Sequence, residues 1–140
     1  MKEEFYRALI THVNRKGWWH VPPADPTAYS KRGKFLASSF RDAEFYGRPL
    51  DEPQRVTVAK PLVGDETEIA RTLKVPRQHP SMDLGEIAEH DTRWRNAALK
   101  LGFDSIVLMA PKSFLDWKAS GKLPRSLELN LLRPETQGRE

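Results

Sequence analysis

Cysteine is absent from the 140 residues, so no disulfide framework, thiolate metal site or cysteine nucleophile can be built. That fits a reducing compartment, and a cytoplasmic protein is the expectation. No apolar run approaches the roughly 18 residues that a membrane span requires. The start, Met1-Lys2-Glu3-Glu4, is acidic where a secretory leader is basic and then apolar. Several common chemistries have no motif here: the chain has no G-x-x-x-x-G-K-[ST], no G-x-G-x-x-G and no G-x-S-x-G. Its histidines, His12, His20, His79 and His90, form no H-E-x-x-H. His79 and His90 with Asp83 come nearest to a ligand set, but loop histidines of this kind more often sit in solvent. No metal is expected.

What is present suits one soluble domain over residues 1–140, with 135–140 as a frayed tail. Hydrophobic residues make up 39% and charged residues 30%, which excludes neither a core nor a well-hydrated surface. The net charge of +4 is unevenly placed. Residues 1–60 hold 11 basic and 7 acidic side chains, whereas 61–140 hold 12 of each. A phosphate-bearing ligand is therefore attracted to the N-terminal part, through long-range field.

Hydrophobic spacing gives the elements. Phe5, Ala8, Leu9 and Val13 form a helical stripe over residues 3–15, with Gly17 as the stop. Trp18 to Val21 reads as a short aromatic strand ended by Pro22-Pro23, and residues 22–33 as a loop. Phe35-Leu36-Ala37 is a strand, and Ser39, with Asp42 as its capping-box partner, starts a helix ended by Gly47-Arg48-Pro49. The alternation of Val56 and Val58 predicts a half-buried strand running to Leu62. Residues 65–73 form a short helix and 75–83 a loop. Asp91 is placed as the cap of a helix carrying Trp94, Ala97, Ala98 and Leu101, with Gly102 past its end. Ile106 to Met109 is a strand buried on both faces, and residues 114–119 give one or two helical turns. Leu127, Leu129 and Leu131 point one way on a last strand, so Ser126, Glu128 and Asn130 point the other. Short strands and scattered helices without a βαβ rhythm indicate α+β with a largely antiparallel sheet.

Three separated pieces carry the chemistry. They are Trp18-Trp19-His20 at a strand end, the uninterrupted Gly33–Gly47 stretch running from strand into helix, and Glu128-Leu129-Asn130-Leu131-Leu132-Arg133-Pro134 on the final strand. In this order and spacing the chain resembles the ADP-ribosyltransferase-like family, in the branch typified by diphtheria toxin and the poly(ADP-ribose) polymerases. That branch has a His on its first strand, a strand–helix segment with two aromatic residues, and a Glu on a late strand. The segments Lys60–Val63 and Ala98–Val107 also look like connecting pieces of small bacterial and phage members.

The resemblance implies an ADP-ribosyltransferase-like fold: a mostly antiparallel split β-sheet core with short flanking helices. It also implies NAD as co-substrate and an acceptor that is a protein or a nucleic acid. His20 would anchor NAD, Phe35 and Tyr46 would sandwich the nicotinamide, and Glu128 would be the catalytic acid. The family's first aromatic is usually Tyr. Phe35 keeps the stacking face and loses the hydroxyl, which Ser38 would replace. Arg32, with Lys31, Lys34 and Arg41 nearby, would meet the pyrophosphate. Members of this size are often phage effectors, anti-defence factors or bacterial toxins.

The chemistry needs such residues. Breaking the N-glycosidic bond of NAD builds positive charge on the ribose carbon, as in glycoside hydrolysis, and a carboxylate beside the ribose stabilises that charge. Each residue has a plainer role open to it: His20 as a strand-end histidine, Phe35 and Tyr46 as core aromatics, Glu128 as an exposed edge charge. The competing function is a non-enzymatic module on the same fold, binding nucleic acid or protein through Trp18, Trp19, Lys31, Arg32 and Lys34.

Overall fold

The computed structural model describes residues 2–20, 32–38 and 53–134, with His20 described through its backbone. Among these residues four helices and five strands form a mixed α+β fold. The helices are α1 (Glu3–Arg15), α2 (Glu66–Leu73), α3 (Leu84–Lys100) and α4 (Pro111–Ser120). The strands are β1 (Trp19–His20), β2 (Lys34–Ala37), β3 (Pro61–Gly64), β4 (Ser105–Leu108) and β5 (Glu128–Leu131). The helix expected from Ser39 and the tail from 135 lie outside the described residues.

One sheet in the order β1-β2-β5-β4-β3 organises the chain. Three pairings are antiparallel, and β3 pairs β4 in parallel. That last pairing corrects the absence of a βαβ unit expected from the sequence: α2 and α3 carry the chain from β3 back to a parallel β4. Glu128 leads β5, and its row across the sheet reads Trp19, Ala37, Glu128, Leu108, Gly64. The next row reads His20, Leu36, Leu129, Val107, Val63.

Alternation sends successive rows to opposite faces. One face takes Leu36, Val63, Val107, Leu129 and Leu131, packed with Leu9, Val13, Phe114 and Trp117 from α1 and α4. The other takes Leu62 and Ile106, packed with Ile69, Leu73, Trp94 and Ala98 from α2 and α3. That second cluster covers the β3–β4 half of its face. Trp18, fully buried, donates its indole N–H to the Val13 carbonyl at 2.9 Å and so belongs to the first core. This corrects its assignment to an exposed contact set in the binding-module reading.

Local chemistry explains the helix ends. Asp65 caps α2 by accepting from the Glu68 amide, and Lys74 closes it in the left-handed conformation. Asp83, not Asp91, caps α3, through a reciprocal capping box with Glu86. The helix therefore begins two turns before Asp91 and places that residue inside it. Pro111 opens α4 and Gly121, at φ 76°, ends it.

The strand expected at 56–62 lies instead at 61–64. Val56 and Val58 are buried as expected, but the side chain of Asn14 takes both backbone groups of Val58, accepting at 2.8 Å and donating at 3.0 Å. A strand needs those groups for its ladder. Asp104 then accepts from the Ala59 and Lys60 amides and ties this segment to the start of β4.

Candidate functional site

Glu128 sits at the first position of β5, between Ala37 of β2 and Leu108 of β4. Leu129 beside it is fully buried on the α1–α4 side, so the pleat turns Glu128 to the opposite face, where it is half-buried. Phe35 shares that face. It pairs with Asn130, two residues from Glu128 on the same strand, so Phe35 and Glu128 are diagonal neighbours, roughly 7–8 Å apart at the backbone. Phe35 is 45% exposed although β2 lies inside the sheet. An aromatic ring left open on an interior strand is unusual, and here it lies beside a carboxylate.

Ser38 and Asn130 hold these two strands in register. The Ser38 hydroxyl accepts the Leu127 amide at 3.0 Å, and its own amide donates to the Leu127 carbonyl. This extends the β2–β5 pairing one step past Glu128. Asn130, 6% exposed, donates from Nδ2 to the Arg32 carbonyl at 3.0 Å, and its buried Oδ1 has no hydrogen-bond partner among the described residues. Gly33 between them has φ 89°, and a Cβ there would overlap Asn130 Oδ1. Only glycine meets both demands.

Arg32 is held sideways. Its Nε and Nη2 both donate to Asp91 Oδ2, at 3.2 and 2.7 Å, which ties the start of β2 to α3. Asp91 in turn accepts from Gln78. His90, expected to be solvent-facing, is buried on α3. Its Nε2 donates to the Pro76 carbonyl at 2.8 Å and its ring packs at 4.7 Å on Trp94. His79 bonds to Ser81. The His79–His90–Asp83 ligand set is thus not assembled, and no other metal-holding group occurs among the described residues.

His20 lies in β1, paired with Leu36. It stands two strands from β5, about 10 Å across the sheet, and one row from Glu128. The side chain of His20, and all of Lys31, Arg41 and Tyr46, lie outside the described residues. Phe35 and Glu128 therefore share one face of the neighbouring strands β2 and β5, and the backbone of His20 lies at the same end of the sheet. Ser38, just past β2, is buried with its hydroxyl taken by the Leu127 amide, where it ties the strands and does not replace the hydroxyl that Phe35 lacks.

A feature the sequence did not single out adjoins Glu128. A cleft of about 390 Å³ opens between the first turn of α2, the start of α4 and the head of β5. Leu108 and Pro111 form apolar wall, and Glu66, Thr67, Arg77 and Glu128 line it with polar groups. Nothing in the 65–77 stretch signals this, because Glu66 and Thr67 are ordinary first-turn residues and Arg77 is an ordinary loop cation.

Comparison with family models, curated proteins and solved structures finds no match for this chain. No helix among the described residues is long and apolar enough to cross a membrane.

Proposed function

We propose that this chain is a mono-ADP-ribosyltransferase that moves ADP-ribose from NAD to a macromolecular acceptor, on an ADP-ribosyltransferase-like fold. The observation that carries the reading is the pairing of an open Phe35 with Glu128 on one face of β2–β5. The exposed ring offers a stacking surface for the cationic nicotinamide ring. Glu128, one diagonal away, faces the ribose carbon as positive charge builds there.

The register supplies pre-organisation. Ser38 and Asn130 fix β2 against β5 from both sides of this pair, so the carboxylate needs no rearrangement as the bond breaks. Arg32 serves first as the tie to Asp91. The remaining face of its guanidinium, with Lys31 and Arg41 as further candidates, is where a pyrophosphate would be met. Tyr46 completes the reading as second stacking ring, whereas His20 pairs with Leu36, in the row that alternates to the face opposite Glu128, so its part as NAD anchor rests on the resemblance alone. The cytoplasm of a producing or invaded cell supplies NAD, and a role as phage effector or bacterial toxin fits a transferase of this size.

Incubation with labelled NAD and a cell lysate tests the reading. Transfer of label, or release of nicotinamide, is expected from the native chain and is expected to fall about 100- to 1,000-fold in Glu128→Gln, the effect of removing one transition-state electrostatic contact. Transfer that persists in Glu128→Gln, or its absence from the native chain, defeats the assignment.

A further inference from the structure

The stretch from Pro111 to Arg125 carries Lys112, Lys118, Lys122 and Arg125 against one acid, Asp116. At about 100° per residue along α4, Lys112, Leu115, Lys118 and Ala119 fall within an arc of about 120°, opposite the buried Phe114 and Trp117. All four are exposed. Gly121 ends the helix in the left-handed conformation, and a Cβ there would meet the Phe5 ring at 2.7 Å, so the chain turns tightly against α1. Lys122, Leu123 and Arg125 follow, all exposed. Lys2, whose Nζ lies 5.2 Å over that same Phe5 ring, extends the cationic surface onto the start of α1.

These cations are not absorbed by partners. Among the described residues Lys112, Lys122 and Arg125 make no hydrogen bond or ion pair, and the Lys118 amine lies 4.4 Å over the Phe114 ring. Of the acids at the edge of this surface, Glu3 is paired with Arg7, which leaves Glu4 and Asp116. Five large apolar side chains are exposed among the described residues, and two of them, Leu115 at 62% and Leu123 at 38%, lie here. A lone exposed leucine is ordinary. Two set among four cations on one side of the molecule narrow the choice of partner.

A nucleic acid backbone satisfies the lysines but gives Leu115 no apolar contact. The aromatic rings of this stretch, Phe114 and Trp117, are buried, so bases have nothing to stack on. Protein interfaces are depleted of lysine and built around aromatic and arginine anchors. An anionic lipid surface uses both residue types. Leucine enters the boundary between headgroups and acyl chains, and lysine stems run along it with their amines at the headgroups. We propose that the outer face of α4, continued through Lys122 to Arg125, docks on an anionic lipid surface. The inference stands apart from the transferase reading. Because α4 packs on the Leu129 side of the sheet, such docking leaves the face of Phe35 and Glu128 open to solution.

Sedimentation of the full chain with vesicles tests the proposal, using phosphatidylcholine alone and with about 30% phosphatidylserine. Binding is expected to the anionic vesicles only, and to weaken at least tenfold as salt rises from about 50 to 300 mM. Each cation near such a leaflet contributes about fivefold, so the double substitution Lys118→Gln with Lys122→Gln is expected to weaken binding about 25-fold. Lys74→Gln with Lys100→Gln removes the same charge from exposed sites at the ends of α2 and α3 and should leave binding within about threefold. Leu115→Ser is expected to weaken it about tenfold with the melting temperature unchanged, since the side chain is 62% exposed. Equal binding to neutral vesicles, full affinity in Leu115→Ser, or an equal loss in the Lys74 and Lys100 pair overturns the proposal. So does a duplex oligonucleotide or a polyglutamate peptide that binds more tightly than the anionic vesicles do.

Discussion

The two faces of the sheet are made from the same strands and finished differently. On the α1–α4 side Leu129, Val107, Trp117 and Leu9 are fully buried, and the row Leu36, Leu129, Val107, Val63 is apolar from β2 to β3. On the α2–α3 side the packing is complete over β3 and β4. Over β2 and β5 the described face carries Phe35, Asn130 and Glu128: an open ring, a buried amide with an unused oxygen, and a carboxylate. A fold that needed only stability would place leucine or valine there, since each buried aliphatic side chain is worth about 1.5–3 kcal/mol. The sealed face supplies rigidity, and the other spends part of its area on polar groups held at fixed positions.

Adjacent residues of β5 break this comparison most directly. Glu128→Gln is expected to cost about 100- to 1,000-fold in transfer, about 3–4 kcal/mol of transition-state energy, with the melting temperature almost unchanged because the residue is half-buried. Leu129→Ala, one position on, is expected to behave in reverse. It opens a cavity in the sealed core at a cost of about 2–5 kcal/mol, lowering Tm by roughly 10 °C, and leaves transfer per folded molecule nearly intact. Parallel thermal melts and nicotinamide-release assays read both. If both variants lose stability equally, the faces are not specialised.

Gly33→Ala tests the joint between the faces. The new methyl meets Asn130 Oδ1 and the Leu131 carbonyl from a left-handed backbone, so a loss of about 1–3 kcal/mol is expected, together with reduced transfer as β2 shifts against β5. Phe35→Ala should leave stability within about 0.5 kcal/mol, as expected of an exposed site, while raising KM for NAD about tenfold. A melting temperature that drops sharply in Phe35→Ala would show the ring to be core after all.

How much of this was legible depended on how local its cause was. α1 and α2 follow from apolar spacing and from Asp65 as cap, all within one turn. The parity of β5, which separates Glu128 from its leucine neighbours, follows from strict alternation. The capping box of Asp83 and Glu86 was also present in the chain, but reading residues 75–83 as a loop moved the expected helix start to Asp91. The shift of β3 was not legible, because Val56 and Val58 alternate as a strand does and only the side chain of Asn14, 44 residues away, removes their ladder bonds. The burial of His90 depends on Pro76 and Trp94 closing over it. Of the site, Phe35, Ser38 and Glu128 were marked by a motif. Glu66, Thr67 and Arg77 were not, since a cleft exists only once α2, α4 and β5 converge.

The sealed face still has a titratable edge, and it gives the smallest predicted effect. His12, in the last turn of α1, has its pKa lowered, first by burial and then by the nearby charge of Lys16. The unfolded chain binds this proton near pH 6.5, whereas the folded one binds it only at lower pH. Between these two values the unfolded state carries more protons, so stability declines as the pH falls below about 6.5 and is unaffected above it. Denaturant melts at a series of pH values should show that slope, and His12→Gln should flatten it. Because His12 lies on the α1 side, away from Phe35 and Glu128, the same substitution should leave the pH profile of nicotinamide release unmoved. A profile that shifts with His12→Gln would show that the two faces are electrostatically coupled and not merely built back to back.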